Sequence, residues 1–92
     1  MTYRIRYVHL LNTKVIARIP KTDLKKIKKS IENKLSQEPN LFGKPLRRSL
    51  RGYWSLRVGD YRVIYRIKGP DVLILIIEHR SVVYETAQRF LV

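Results

Sequence analysis

The chain has 92 residues, enough for one domain on a modest core and too few for a second. At 45% hydrophobic and 29% charged it is globular rather than disordered, and with no cysteine it has neither disulfides nor thiolate chemistry. Lysine and arginine total 20 against 7 acids, a formal net charge of +13; this much like charge opposes compaction and points to a polyanionic partner, nucleic acid first, ahead of an anionic membrane or an acidic protein.

No repeat or low-complexity linker divides residues 1–92, so a single domain is expected. The opening MTYRIRYVHLL breaks its apolar run with arginines, unlike a signal peptide. No segment approaches the roughly 18 uninterrupted apolar residues of a membrane span, so no membrane partner and a cytoplasmic location are expected. Residues 3–9, YRIRYVH, alternate apolar and basic as a half-buried strand does, with His9 at its end. Residues 10–20, LLNTKVIARIP, fit a short helix with Leu11, Val15 and Ile19 on one face, or a strand; Pro20 closes them.

Residues 21–37 give the clearest helix. Leu24, Ile27, Ile31 and Leu35 form one apolar stripe, and Lys25, Lys26, Lys28, Lys29 and Lys34 fill the rest of the cylinder. Thr22 is placed to cap it, Asp23 suits the positive end of its dipole, and it should stop before Pro39. A loop follows, with part of it an irregular edge strand. From Pro39 to Gly59 there is no acid, while Lys44, Arg47, Arg48, Arg51 and Arg57 accumulate.

Residues 53–58 and 61–67 read as a hairpin about Gly59-Asp60. A two- or four-residue loop pairs Arg57 with Arg62, Leu56 with Val63, Ser55 with Ile64, Trp54 with Tyr65 and Tyr53 with Arg66. Trp54, Leu56, Val63, Tyr65 and Ile67 then share the core face. The other face carries Tyr53, Ser55, Arg57, Arg62, Ile64 and Arg66. Like charges directly opposite each other destabilise a sheet. Either Asp60 or Glu78 neutralises the arginine pair, or an anion does; arginine forks onto phosphate, and arginine and tyrosine both stack on unpaired bases, which favours RNA. Residues 72–78, VLILIIE, read as a strand buried on both faces. It brings His79 or Arg80 near the arginines if it lies beside the hairpin. The tail, SVVYETAQRFLV, is a short helix or an extended segment. Arg80 and Tyr84 meet on one face only if a helix begins at this point; otherwise Tyr84 serves as a core aromatic. His9 and His79 stand far apart and make no metal-ligand set, so no metal or other cofactor is expected. The order β-α-α-β-β-β-α defines an α+β fold: a small, antiparallel-rich, twisted sheet with the helices on one face.

The run GYWSLRVGDYRVIYRI, followed by a buried strand and then HRSVVYE, resembles the RelE branch of the RelE/ParE toxin superfamily over nearly the whole chain. The resemblance implies a small antiparallel sheet with two N-terminal helices packed against it. It implies a toxin of a type II toxin–antitoxin pair, a metal-independent endoribonuclease that cuts messenger RNA on the translating ribosome. A cognate antitoxin would hold it inactive, in a toxin–antitoxin heterotetramer. Arg62, in the D-Y-R context, takes the arginine role at the scissile phosphate, Arg57 is its strand neighbour, and Arg80 and Tyr84 are the C-terminal arginine and tyrosine. Lys44, Arg47, Arg48, Arg51, Tyr53, Arg66 and His79 are the expected RNA contacts. One departure stands out: some members carry lysines before the hairpin turn, where this chain has Tyr53 and Ser55, leaving Arg57 or Arg51 to compensate. A ParE-like inhibitor of DNA gyrase and a catalytically dead nucleic-acid-binding relative are the alternatives.

Overall fold

A computed structural model describes residues 2–7 and 10–92; His9 lies outside the described residues. The elements are β1 (Arg4–Arg6), α1 (Thr13–Ile16), α2 (Lys21–Ser30), α3 (Pro39–Phe42), β2 (Lys44–Pro45), β3 (Trp54–Val58), β4 (Tyr61–Lys68), β5 (Asp71–His79) and α4 (Val83–Leu91). They build a five-stranded sheet in the order β1-β5-β4-β3-β2. All its neighbours are antiparallel except β1 and β5, which run parallel.

The sheet is covered on both faces. Ile19, Ile27, Ile31 and Leu35 from the N-terminal helical segment pack against Leu56, Val63, Tyr65, Val72, Ile74 and Ile77. On the other face Val83 and Ala87 of α4 pack with Leu50, Ile64, Leu75 and Ile76. The two N-terminal helices do share one face, as expected, but α4 does not join them. The hairpin alternation explains why: Ile64 lies on the face opposite Val63 and Tyr65, and an apolar residue there needs its own cover.

Strand β5 shows how a run with no alternation serves two cores. Tyr65 pairs with Ile74 and Ile64 with Ile76, so Leu75 has no partner on β4. This bulge places the consecutive residues Leu75 and Ile76 in the α4 core, while Ile74 and Ile77 on either side stay in the α2 core. Asn12 completes the strand's other edge beyond β1. It is 5% exposed, and its side-chain amide donates to the Ile77 carbonyl at 2.9 Å and accepts from the Ile77 N–H at 3.4 Å.

Three local expectations change. The α1 turn buries Ile19 and half-buries Ile16, whereas Leu11 and Val15 are exposed; the bonds of Asn12 to β5, rather than a helical stripe, set its orientation. Thr22 does not cap α2, because the helix already starts at Lys21 behind Pro20, whose carbonyl accepts the Leu24 N–H at 2.9 Å. The α2 stripe continues through one wider π turn, Ile31–Leu35, which keeps Ile31 and Leu35 fully buried. The basic loop contains α3, the two-residue edge strand β2 and a 3₁₀ turn, Arg48–Leu50. No helix among the described residues is long and apolar enough to cross a membrane.

Candidate RNA-cleavage site on the hairpin

The hairpin register is the one a two- or four-residue loop gives: Val58 pairs with Tyr61, Arg57 with Arg62, Leu56 with Val63, Ser55 with Ile64 and Trp54 with Tyr65. Gly59 takes φ +60° while Asp60 stays outside the left-handed region. A two-residue turn of type II′ has this signature, with glycine first. Directly paired residues share a face, so β2 adds Lys44 beside Ser55, and β5 adds Glu78 beside Arg62. One face of the sheet thus carries Lys44 and Ser55 in one row and Arg57, Arg62 and Glu78 in another. Helix α4 lies on this same face through its contacts with Ile64 and Ile76.

Tyr84 comes from the first turn of α4 and meets this face. Its hydroxyl donates to Ser55 Oγ at 3.3 Å, and Arg62 Nη1 donates to the same oxygen at 3.5 Å. The Arg62 guanidinium carbon lies 6.0 Å from the centre of the Tyr84 ring, within cation–π range. Arg62 is half-buried, Tyr84 is 40% exposed and Ser55 is 2% exposed. Two bonds tie α4 down at this place. Thr86 donates to the buried Glu78 carboxylate, and Gln88 donates to Ser49 at 2.7 Å.

Neither acid that flanks the arginine pair forms an ion pair with it. Among the described residues the ion pairs join Arg4 and Arg6 to Asp71 and Arg80 to Asp60, with none at Arg57 or Arg62. Glu78 Oε2 accepts from Thr86, and Asp60 Oδ1 faces Arg80 Nε at 3.8 Å. Arg57 is exposed and donates to the Gly59 carbonyl at 3.3 Å. Arg62 has five N–H donors, so after its bond to Ser55 most of its fork remains for an anion.

Arg80 lies outside α4 and does not share a helical face with Tyr84. Its N–H donates to the Asp60 carbonyl at 2.8 Å, which fixes it at the hairpin tip. His79 pairs with Tyr61 on the opposite face from Arg62, with the two rings 5.9 Å apart edge to face. Its Nδ1 accepts the Ser81 N–H at 3.2 Å. The structure thus separates His79 from the arginines. Arg66 is exposed on the Arg62 face, and Tyr53 is half-buried against the α4 core. Arg47, Arg48 and Arg51 are exposed around the 3₁₀ turn, and Arg48 holds a left-handed φ of 56°.

Two members of this arrangement escaped the sequence. Ser55 was legible as a position on the basic face where some relatives carry a lysine, not as the acceptor joining Arg62 to Tyr84. The Glu78–Thr86 link was hidden because it requires α4 to cross that face. Among the described residues, no three or more histidine, aspartate or glutamate side chains gather into a possible metal site.

A two-sided α+β sheet of this order is the fold of a class of small toxins. In a solved toxin–antitoxin complex, RelBE2 of Mycobacterium tuberculosis, one chain superposes on this one with a TM-score of 0.78. The two are 34% identical, with 88% of this chain and 94% of that chain covered. Two curated relatives from the same organism are the toxin RelG, 50% identical over 52 residues, and the toxin RelE, 46% identical over 52 residues. Each match covers 54% of this chain, and the chain spans 60% and 54%, respectively, of the two relatives' lengths. A family model described as the ParE toxin of type II toxin–antitoxin systems, parDE, matches residues 7–84. The chain therefore belongs to the RelE/ParE superfamily of type II toxins.

Proposed function

We propose that this chain is a RelE-type toxin, a metal-independent endoribonuclease that cleaves messenger RNA on the ribosome and is silenced by a cognate antitoxin. The observation that carries the reading is the meeting of Arg62 and Tyr84 at Ser55, beside a second arginine and with no ion pair to a carboxylate at either arginine among the described residues. Such a cluster suits a phosphodiester in flight. The substrate's 2′-oxygen attacks the adjacent phosphorus and forms the O2′–P bond while the P–O5′ bond breaks. The products are a 2′,3′-cyclic phosphate and a 5′-hydroxyl, and the proton lost from O2′ is balanced by the one gained at O5′. Arg62, with Arg57 beside it, stabilises the charge that develops on the phosphorane oxygens. Tyr84 is the proton-transfer group of the cluster. So small a set of groups leaves alignment of the 2′-oxygen to the ribosome, which holds the message in a fixed geometry.

The test compares wild type, Arg62→Ala and Tyr84→Phe on ribosomes translating a defined message, with cleavage mapped by primer extension. Loss of the phosphate-binding arginine should slow cleavage by about 10²-fold or more, and loss of the tyrosine hydroxyl by a similar factor. Equal cleavage by all three proteins would sink the site assignment. The family model that matches is that of the ParE toxins, which supports a gyrase-directed reading, and Tyr53 and Ser55 in place of lysines leave room for it. Inhibition of gyrase supercoiling without message cleavage would replace the nuclease reading with that one.

A further inference from the structure

We infer that Ser55 is a positioning residue for the cleavage reaction: its buried hydroxyl sets the spacing between Arg62 and Tyr84. This rests on the nuclease reading above and extends it to a residue with no recognisable chemistry of its own. A serine hydroxyl has two acceptor lone pairs. Here Oγ lies 3.3 Å from the Tyr84 hydroxyl and 3.5 Å from Arg62 Nη1, so one oxygen accepts from both. The two functional groups come from different elements, β4 and the first turn of α4, and no direct hydrogen bond joins them among the described residues. Ser55 sits on β3, between β2 and β4, and is 2% exposed. A hydroxyl on a packed strand is a fixed point, whereas an arginine or tyrosine side chain left to itself samples several rotamers.

The distances say what kind of role this is. Both bonds are at the long end of hydrogen-bonding range, so each is weak and neither group is consumed by it. Arg62 keeps its remaining donors, and Tyr84 keeps an oxygen able to accept. A lysine on this strand position would repel Arg62; the serine accepts from it instead. Ser55 therefore acts through its neighbours and has no need to touch the phosphate.

The experiment measures single-turnover cleavage on programmed ribosomes for Ser55→Ala, Tyr84→Phe and the double variant, with thermal melts as the folding control. Ser55→Ala should lower the rate constant roughly three- to fivefold, the scale of a weak hydrogen bond, and leave the toxin concentration for half-maximal rate unchanged. The double variant should lose less than the product of the two single losses, since the part of the serine's action that passes through the Tyr84 hydroxyl is already removed while its contact with Arg62 is not. A Ser55→Ala rate within about twofold of wild type overturns the inference, as does a double variant that shows the product of the two single losses. A second readout needs no catalysis: in protein with ¹³C-labelled tyrosine rings, Ser55→Ala should shift the Tyr84 ring signals and leave those of Tyr3, on the far side of the sheet, in place. Unchanged Tyr84 signals overturn the positioning role even in a protein that cleaves nothing. A wild type that cleaves nothing while the Tyr84 signals do shift upholds the Ser55 contact and removes the nuclease reading alone.

Discussion

At Gly43 a side chain has nowhere to go. A Cβ added there would land inside the Tyr65 hydroxyl, which is fully buried and donates to the Pro39 carbonyl. Burial holds that phenol above its usual titration range, which keeps it a neutral donor. The backbone of Gly43 is extended (φ −95°), so the requirement is for space and not for an unusual conformation. Gly43→Ala should cost about 2 kcal/mol, in the range of overpacked cores. Tyr65→Phe alone should cost about 1 kcal/mol for the lost hydrogen bond. The two changes should be less than additive, because removing the hydroxyl takes away the closest contact, although ring Cζ would still lie 2.8 Å from the added Cβ and must shift. Urea denaturation of both singles and the double measures this, and strict additivity would show that the two residues do not share the space. None of it was legible in the sequence, where Gly43 reads as one more turn residue in a basic loop. Asn12 is the parallel case: its amide replaces a strand partner for Ile77, a role that depends on an edge 65 residues further along the chain.

The β3–β4 hairpin is the element in which sequence and structure agree most closely. A two-residue glycine turn fixes register, register fixes which residues share a face, and the result is Arg57 opposite Arg62. This chain of reasoning needs only local information, which is why it was readable. The same logic could not place α4, since nothing local says which face of the sheet a C-terminal helix will cover. The exposed face of the hairpin was therefore overestimated: Ile64 and Ser55 lie under α4, while Arg57 and Arg62 at one end and Arg66 at the other keep access to solvent. The arginine pair should be a site where function opposes stability. Arg57→Thr replaces a like-charge cross-strand pair with a strand-favouring residue and should stabilise the fold by about 0.5 kcal/mol at low salt. The same change should slow message cleavage about tenfold, through loss of one charge beside the phosphorane. Chemical denaturation and the cleavage assay, run on the same preparation, test both halves. A variant that is less stable than wild type would mean that the two side chains already diverge enough to avoid each other.

For the whole molecule the governing quantity is a net charge of +13 on a body about 33 × 32 × 22 Å. At about 0.01 M salt the Debye length is about 30 Å, so every charge feels every other across the protein; at about 1 M it is about 3 Å and only neighbours interact. Repulsion is spread over two separate surfaces, the lysines of α2 on one side of the sheet and the arginines of the hairpin on the other. The three ion pairs among the described residues are too few to offset it. Folding stability should therefore rise with NaCl over this range, while association with a polyanion falls, because counterions released from phosphates oppose binding as salt increases. The opposite signs separate intramolecular repulsion from a general salt effect on the chain. Replacing Lys25, Lys28 and Lys29 with glutamine removes three charges from the α2 surface and leaves the hairpin intact. This variant should melt higher than wild type at low salt, match it at high salt, and keep single-turnover cleavage by ribosome-bound toxin. Thermal melts across the salt series decide the matter: a wild-type midpoint that stays flat from about 0.01 M to about 1 M NaCl would mean that the excess charge is too well solvated to strain the fold.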